Sequence, residues 1–390
     1  MTQSLRAKAA CIGLATTGSP EAPGRNSVEL MAEASLAALA DAGLSLADVD
    51  GLFAANATQS MAAVSLAEYL GIRPVFSDGS NIGGSSFLAH ALTAAMALEA
   101  GLINVALIAY GSNQRTAGGF RSISEPMVHE APFEPRMPIT AYALAASRYC
   151  HEFGATPEDF AEVAVAARQW AALNPQAMHR DLLTVADVQA ARMVSDPFTI
   201  RHCCLVTDGG AAIVLTRADR AKDAPRPPVY LLGAGMAHWH RMISTMPDFT
   251  LTAASESGPR ALEMARYGVS DMTTVQLYDA FTINTVLFLE DLGVCPKGEG
   301  WRFVKDGRIA PDGECAVNSN GGGLSAVHPG MYGLYVTIEA LRQARHAAGY
   351  TEYEREPGGW VDSAHLNLAH GNGGVLSTQV TTVWGTEQTI

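Results

Sequence analysis

One arrangement of segments occurs twice in this chain of 390 residues, and it restricts the fold more than any single motif. In the first half, Val49-Asp50-Gly51-Leu52-Phe53-Ala54-Ala55 reads as a strand leading to a helix that ends Ala67-Glu68-Tyr69-Leu70-Gly71-Ile72. In the second, Val275 to Phe281 leads to a helix ending Leu289-Glu290-Asp291-Leu292-Gly293-Val294. A glycine loop follows each, Asn81-Ile82-Gly83-Gly84-Ser85-Ser86 and Asn318 to Gly323. The first opens an alanine-rich helix, Phe87 to Ala100, apolar nearly all round and therefore expected to be buried. Finally Val105 to Gly111 matches Leu366 to Gly371. Strand, helix, glycine loop, buried helix and strand recur in one order, which predicts a duplicated α/β unit with two sheets related by pseudo-symmetry. The expected halves are residues 1–222, with a loop excursion over about 112–200, and 223–390. The boundary is placed near the polar, proline-bearing stretch Asp223 to Pro228.

Composition narrows the partners. Apolar residues make up 48% and charged residues 17%, ample for a large core. The net charge is −13 with no Lys/Arg run, which argues against nucleic acid and against an anionic membrane. Local backbone amides remain able to bind an anion. Met1 to Ala10 lacks an apolar signal core and no apolar run is long enough to span a bilayer, so a soluble, cytoplasmic protein is expected. Six cysteines lie scattered without Cys-x-x-Cys or ligand spacing and read as reduced core residues. Cys203-Cys204 reads as a strand approach to Thr207-Asp208-Gly209-Gly210 rather than a redox pair. His238 and His240 lack a third ligand, so no metal site is expected.

The stretch Val317 to Gly330 carries the chemistry: polar residues, three consecutive glycines (Gly321 to Gly323), then His328 between Val327 and Pro329, before a helix over Met331 to Ala344. Glycines in a row are costly to order, so they mark close backbone approach or positive φ. A histidine at the end of such a loop can face developing negative charge. It can equally be an incidental residue of a tight strand-to-helix turn.

Several pieces together resemble the thiolase superfamily, in its lipid-transfer-protein or SCP-x-type branch. They are Tyr278-Asp279-Ala280-Phe281-Thr282, Gly293 to Gly300, Asn318 to Pro329, Val194 to Phe198, and Asp208-Gly209-Gly210-Ala211-Ala212. The resemblance covers nearly the whole chain. It implies an α/β fold of two βαβαβαββ halves in five layers (αβαβα), usually a homodimer, acting on a coenzyme A thioester. Coenzyme A enters as part of the substrate, and no bound cofactor is implied. Members of this branch often work with a small zinc-ribbon/OB-fold protein.

Departures from the family pattern shape the expected mechanism. Gly84 stands where thiolases carry the nucleophilic cysteine, and none of the six cysteines is near it in sequence. His370 takes the place of the second, acid/base cysteine, and Tyr278-Asp279-Ala280-Phe281 replaces an Asn-Glu-Ala-Phe motif. His328 is the histidine retained. Without a thiolate there is no ready route to an acyl-enzyme, whereas an enolate at a thioester carbonyl could still be stabilised. Retro-aldol cleavage of a 3-hydroxyacyl-CoA fits, with Tyr278, His328 and His370 as candidate catalytic residues. Gly83, Gly84, Ser85, Gly322, Gly323, Gly373 and Gly374 are the candidate oxyanion and glycine loops. Tyrosine in the Tyr-Asp-x-Phe motif serves relatives as acid/base. A phenol needs its pKa lowered from about 10 to act as a base near neutrality, by His328 or by backbone dipoles. Other aldolases of the branch can carry a second tyrosine where this chain has His328. Two alternatives stay open: an acyltransferase or thiolytic enzyme using Ser85 or free coenzyme A, and a non-catalytic acyl-CoA-binding or scaffold subunit. Ser85 and Ser86 read first as helix N-caps, Asp279 as structural at a strand end, and His90 as core or dimer interface. Phe120 and Phe133 in the excursion would suit an apolar or ring-bearing acyl group.

Overall fold

A computed structural model describes residues 4–117 and 128–390. Phe120, expected near the acyl group, lies outside the described residues. Among the described residues the strands are β1 (Ala9–Thr17), β2 (Gly51–Ala54), β3 (Phe76–Asp78), β4 (Val105–Ser112), β5 (Met193–Ser195), β6 (Phe198–Thr199), β7 (Gly209–Arg217), β8 (Val229–His238), β9 (Thr274–Leu277), β10 (Ala316–Val317), β11 (Leu366–Gly373) and β12 (Thr378–Gly385). Ten of them form one sheet in the order β10-β9-β11-β12-β8-β1-β7-β4-β2-β3, and β5 pairs with β6 apart from it.

The repeat read from the sequence is visible in this order. From the centre outward, β1-β7-β4-β2-β3 and β8-β12-β11-β9-β10 have matching directions. The first two pairings of each half are antiparallel and the last two parallel. One expectation changes: the two sheets are bonded edge to edge at Ala10–Tyr230 and Cys11–Val229, so the ladder is continuous. Pairing at this seam covers what would otherwise be an open edge in each half.

The glycine loops lead to the two helices at the middle of the molecule, Ser86–Glu99 and Gly333–Ala347. The first packs on β4 and β7 and also reaches β11, β12 and the second helix. Their faces differ chemically. Ser86–Glu99 is largely alanine and leucine, whereas Gly333–Ala347 buries Glu339, Arg342 and Arg345. These charges are paired: Arg355 Nη2 lies 2.7 Å from Glu339 Oε2, Arg342 Nε 2.8 Å from Glu352, and Arg345 Nη1 2.6 Å from Asp41. Pairing offsets the heavy cost of desolvating them. His90 is buried in the first helix with Nε2 3.0 Å from Ser80 O. Thr156 and Pro157 start the helix Pro157–Ala172 as its N-cap and first residue. No described helix is long and apolar enough to cross a membrane.

Candidate active site

β9 ends at Leu277, and Tyr278 leaves it with its N–H donated to His370 O of β11 at 3.0 Å. Its hydroxyl donates to Gly330 O at 2.9 Å and accepts from Tyr332 N–H at 3.2 Å. Tyr110, near the end of β4, does the same from the other half. It donates to Pro329 O and accepts from Met331 N–H at 3.0 Å. Two phenols, one per half, therefore staple the turn that follows His328. Both are buried, and burial drives the Tyr278 phenol well above its usual range, while the Tyr332 N–H pulls the other way. The lowered pKa expected from His328 or backbone dipoles is not what this environment produces.

His328 is held by its backbone. Its N–H donates to Thr207 Oγ1 at 3.1 Å, and its carbonyl accepts from Gln114 Nε2 at 3.0 Å and Thr207 N–H at 3.2 Å. The ring meets Tyr278 edge-on at 5.5 Å and stacks on Tyr332 at 5.5 Å. Nε2 is buried without a partner. Burial lowers the imidazole pKa to about 4, so the ring is neutral near pH 7. A neutral, buried ring nitrogen without a partner retains the capacity for one hydrogen bond.

The second-half glycine loop is shaped by Asp279. Its Oδ1 accepts the Gly323 N–H at 2.7 Å and its Oδ2 the Leu324 N–H at 3.2 Å. Gly322 N–H goes to Asn320 Oδ1 at 2.8 Å. The expectation that Gly322 and Gly323 offer free oxyanion donors is therefore corrected: their amides are already given to side chains. A β-carbon on Gly322 would stand 2.1 Å from Asp279 Oδ2, which is why glycine is needed there. Burial raises the Asp279 pKa to about 7 against the lowering effect of these amides.

In the first-half loop, a β-carbon built on Gly84 would stand 2.0 Å from Tyr278 Cε2 and 2.6 Å from Asn372 O. The tyrosine ring thus fills the volume a side chain at 84 would use. Gly83 N–H is given to Asn81 Oδ1 at 3.1 Å, and Gly83 lies against Gly373 and Gly374. Gly373 O accepts from Ser377 N–H at 3.1 Å and Gly374 O from the Tyr142 hydroxyl at 3.1 Å. Ser85 is the N-cap of its helix, but its Oγ donates to Thr378 O at 2.8 Å rather than capping the helix. Ser86 Oγ donates to Gly83 O at 2.6 Å.

His370 lies in β11 with both ring nitrogens engaged, Nδ1 with Thr381 Oγ1 at 2.8 Å and Nε2 with Gln379 Oε1 at 2.9 Å. Burial lowers its pKa to about 4. Cys204, distant in sequence, comes near in space: its N–H donates to Ala280 O at 2.8 Å, and its thiol is among the groups that act on Tyr278. Burial holds that thiol far above the usual range, so it is no thiolate. Phe133 is 84% exposed, and His240 Nε2 is taken by Val375 O at 2.9 Å.

Sequence reasoning passed over Tyr110, Tyr142, Tyr332 and Asn372. The repeat held one signal, since it sets Tyr110-Gly111 against His370-Gly371. Tyr142 belongs to the helix Ile139–Phe153 and stacks on Phe281 at 4.4 Å, a contact that no spacing reveals. A surface hollow of about 560 Å³ lined by Asn26, Gln59, Ser65 and Tyr69 involves none of these residues.

Two glycine loops from duplicated halves, meeting at a histidine and a buried tyrosine with no cysteine at the helix start, define a thiolase-fold enzyme that lacks a cysteine at that helix. Residues 235–386 match the thiolase C-terminal domain-like family. The chain is 33% identical to the 17-hydroxy-3-oxo-4-pregnene-20-carboxyl-CoA lyase of Mycobacterium tuberculosis, over 87% of this chain and 92% of that protein. It is 34% identical to a steroid side-chain-cleaving aldolase of Thermomonospora curvata, over 86% and 90%. The solved Ltp2-ChsH2(DUF35) aldolase superposes with a TM-score of 0.88 at 30% identity, covering 98% of this chain and 99% of that one. The chain belongs to the thiolase superfamily, among its acyl-CoA aldolases.

Proposed function

We propose that this enzyme cleaves a 3-hydroxyacyl-CoA by a retro-aldol reaction in which Tyr278 carries the proton and His328 holds the thioester oxygen. The observation that carries this reading is the Tyr278 ring in the place of a side chain at Gly84, which leaves no nucleophile where an acyl-enzyme would form. Because burial disfavours a phenolate, the neutral hydroxyl acts in concert. It accepts the β-hydroxyl proton while the proton it now gives to Gly330 O goes to the α-carbon. As the Cα–Cβ bond breaks, its electron pair is shared with the thioester oxygen in the enolate-like transition state and ends as the new Cα–H bond, and a ketone or aldehyde leaves with a shortened acyl-CoA. The Tyr332 N–H stays on the phenol oxygen and steadies the charge that develops there. His328, protonated at its uncommitted Nε2, donates to the enolate oxygen.

The relatives, a 17-hydroxy-3-oxo-4-pregnene-20-carboxyl-CoA lyase and a steroid side-chain-cleaving aldolase, support a bulky, ring-bearing acyl group. The likeness to the Ltp2-ChsH2(DUF35) aldolase supports a partner subunit, which we read as the small zinc-ribbon/OB-fold protein that the family resemblance implies. The matching sheet halves support a boundary near residue 223.

The test is product analysis on a panel of 3-hydroxyacyl-CoA esters with the partner co-expressed. Wild type should release a carbonyl compound and a shortened acyl-CoA with no free coenzyme A consumed. Tyr278→Phe should lose at least about a hundredfold in kcat. Cleavage that requires added coenzyme A would overturn the reading in favour of thiolysis. Acyl-CoA binding without turnover would overturn it in favour of a non-catalytic subunit.

A further inference from the structure

A single file of hydrogen-bonded side chains runs behind the glycine turn at Asn372 to Gly374, every member buried. Ser257 Oγ lies 3.0 Å from Thr381 Oγ1, which lies 2.8 Å from His370 Nδ1. His370 Nε2 is 2.9 Å from Gln379 Oε1, and Gln379 Nε2 donates to Asn372 Oδ1 at 2.9 Å. Asn372 Nδ2 donates to the Tyr142 hydroxyl at 2.8 Å, and that hydroxyl donates to Gly374 O at 3.1 Å.

The chemistry of the ends allows one direction only. Gly374 O is a pure acceptor, so Tyr142 gives it its proton and the phenol oxygen must accept from the Asn372 amide. Asn372 Oδ1 then accepts from Gln379 Nε2, which turns Gln379 Oε1 towards His370. A carbonyl oxygen cannot donate, so His370 Nε2 carries the hydrogen. The lone pair on Nδ1 accepts from Thr381, whose oxygen accepts from Ser257. Each link fixes the next, and reversing one would bring two donors or two acceptors face to face in a dry interior.

The file ends at the reacting wall. Asn372 O is one of the two atoms nearest to a β-carbon built at Gly84, and His370 O receives the Tyr278 N–H. We infer that His370 and Tyr142 are positioning residues for the carbon–carbon cleavage: His370, locked as the Nε2–H tautomer, sets the amides of Gln379 and Asn372, and these set Tyr142 and the turn beside Tyr278. This deepens the aldolase reading and rests on it for the effect on rate, but not for the tautomer. His370 is thereby removed from direct proton transfer, since neither ring nitrogen is left for substrate.

Two measurements on the full-length protein test it. First, ¹⁵N-histidine NMR, with His370 assigned by its loss in His370→Gln, should show the Nε2–H tautomer; the Nδ1–H form would overturn the inference whatever the enzyme's substrate. Second, Asn372→Asp keeps the shape but can only accept, so it draws the Tyr142 proton away from Gly374. Its kcat should fall by about tenfold or more with KM changed less than about twofold. His370→Gln can still donate to Gln379 and accept from Thr381, and should keep kcat within about threefold of wild type. A folded Asn372→Asp with wild-type kcat would overturn the inference, as would a His370→Gln as impaired as Asn372→Asp. If wild type cleaves no 3-hydroxyacyl-CoA, the reaction assignment fails while the NMR result still decides the relay.

Discussion

The ring of Tyr278 stands directly against Gly84, with Cε2 only 2.0 Å from where a β-carbon on that residue would lie. A residue of the second half thus fills the space that a side chain at position 84 of the first half would need.

Gly84→Ala should therefore be poorly tolerated. Overpacking of a buried site costs about 1–3 kcal/mol, and here the neighbours are an aromatic ring and the Asn372 carbonyl. Urea unfolding of Gly84→Ala and of Gly84→Ala with Tyr278→Leu would measure it. The second change should restore part of the lost stability, and equal stability of Gly84→Ala and wild type would refute the packing argument.

A concerted role for a neutral phenol has a signature in pH. Because burial keeps Tyr278 protonated, kcat should stay level from about pH 6.5 to 9. A rate that climbs tenfold per pH unit towards the phenol range would mean that phenolate is the active base, and the concerted scheme would fall.

The buried pair Glu339–Arg355 anchors the central helix at 2.7 Å, and Glu339 also accepts from Ser319 Oγ at 2.6 Å. Burial alone would raise the Glu339 pKa, but the Arg355 guanidinium and these hydrogen bonds hold it below the usual range. Glu339→Gln leaves Arg355 buried without a counter-charge and should cost about 3–5 kcal/mol by denaturant unfolding. Pairing it with Arg355→Met should recover much of that loss. A single mutant as stable as wild type would show that the pair contributes little.

Acid should destabilise the fold through its buried histidines. His328 and His370 have folded pKa values of about 4, below the unfolded 6.5. Their contribution is fully present above pH 6.5 and is lost as pH falls from there through 4, about 3 kcal/mol each at most. Asp279 has the opposite sign: raised to about 7, its contribution is present at low pH and disappears as pH climbs through 7. Urea midpoints between pH 7.5 and 4.5 should fall less steeply in His370→Gln than in wild type. Parallel slopes would show that His370 is not held neutral.

Much of the architecture was legible because it is written as local periodicity. Strand, helix and glycine loop recur at Val49 to Ser86 and at Val275 to Gly323, and the two sheet halves repeat the same order. Burial of the alanine-rich helix followed from its composition. That the glycine amides are engaged is not legible, because the sequence places Asp279 more than forty residues from the loop it caps.

By itself the sequence determined the duplicated α/β unit, the missing cysteine and the histidine at the end of the glycine loop, since each is a property of neighbouring residues. Only the tertiary structure decided what Tyr278 faces, which glycine amides are already spent, that Tyr110, Tyr278 and Tyr332 meet at the turn after His328, and in which tautomer His370 is locked. Those are contacts between segments far apart in the chain, and their strength depends on the exclusion of water, which no stretch of sequence achieves alone.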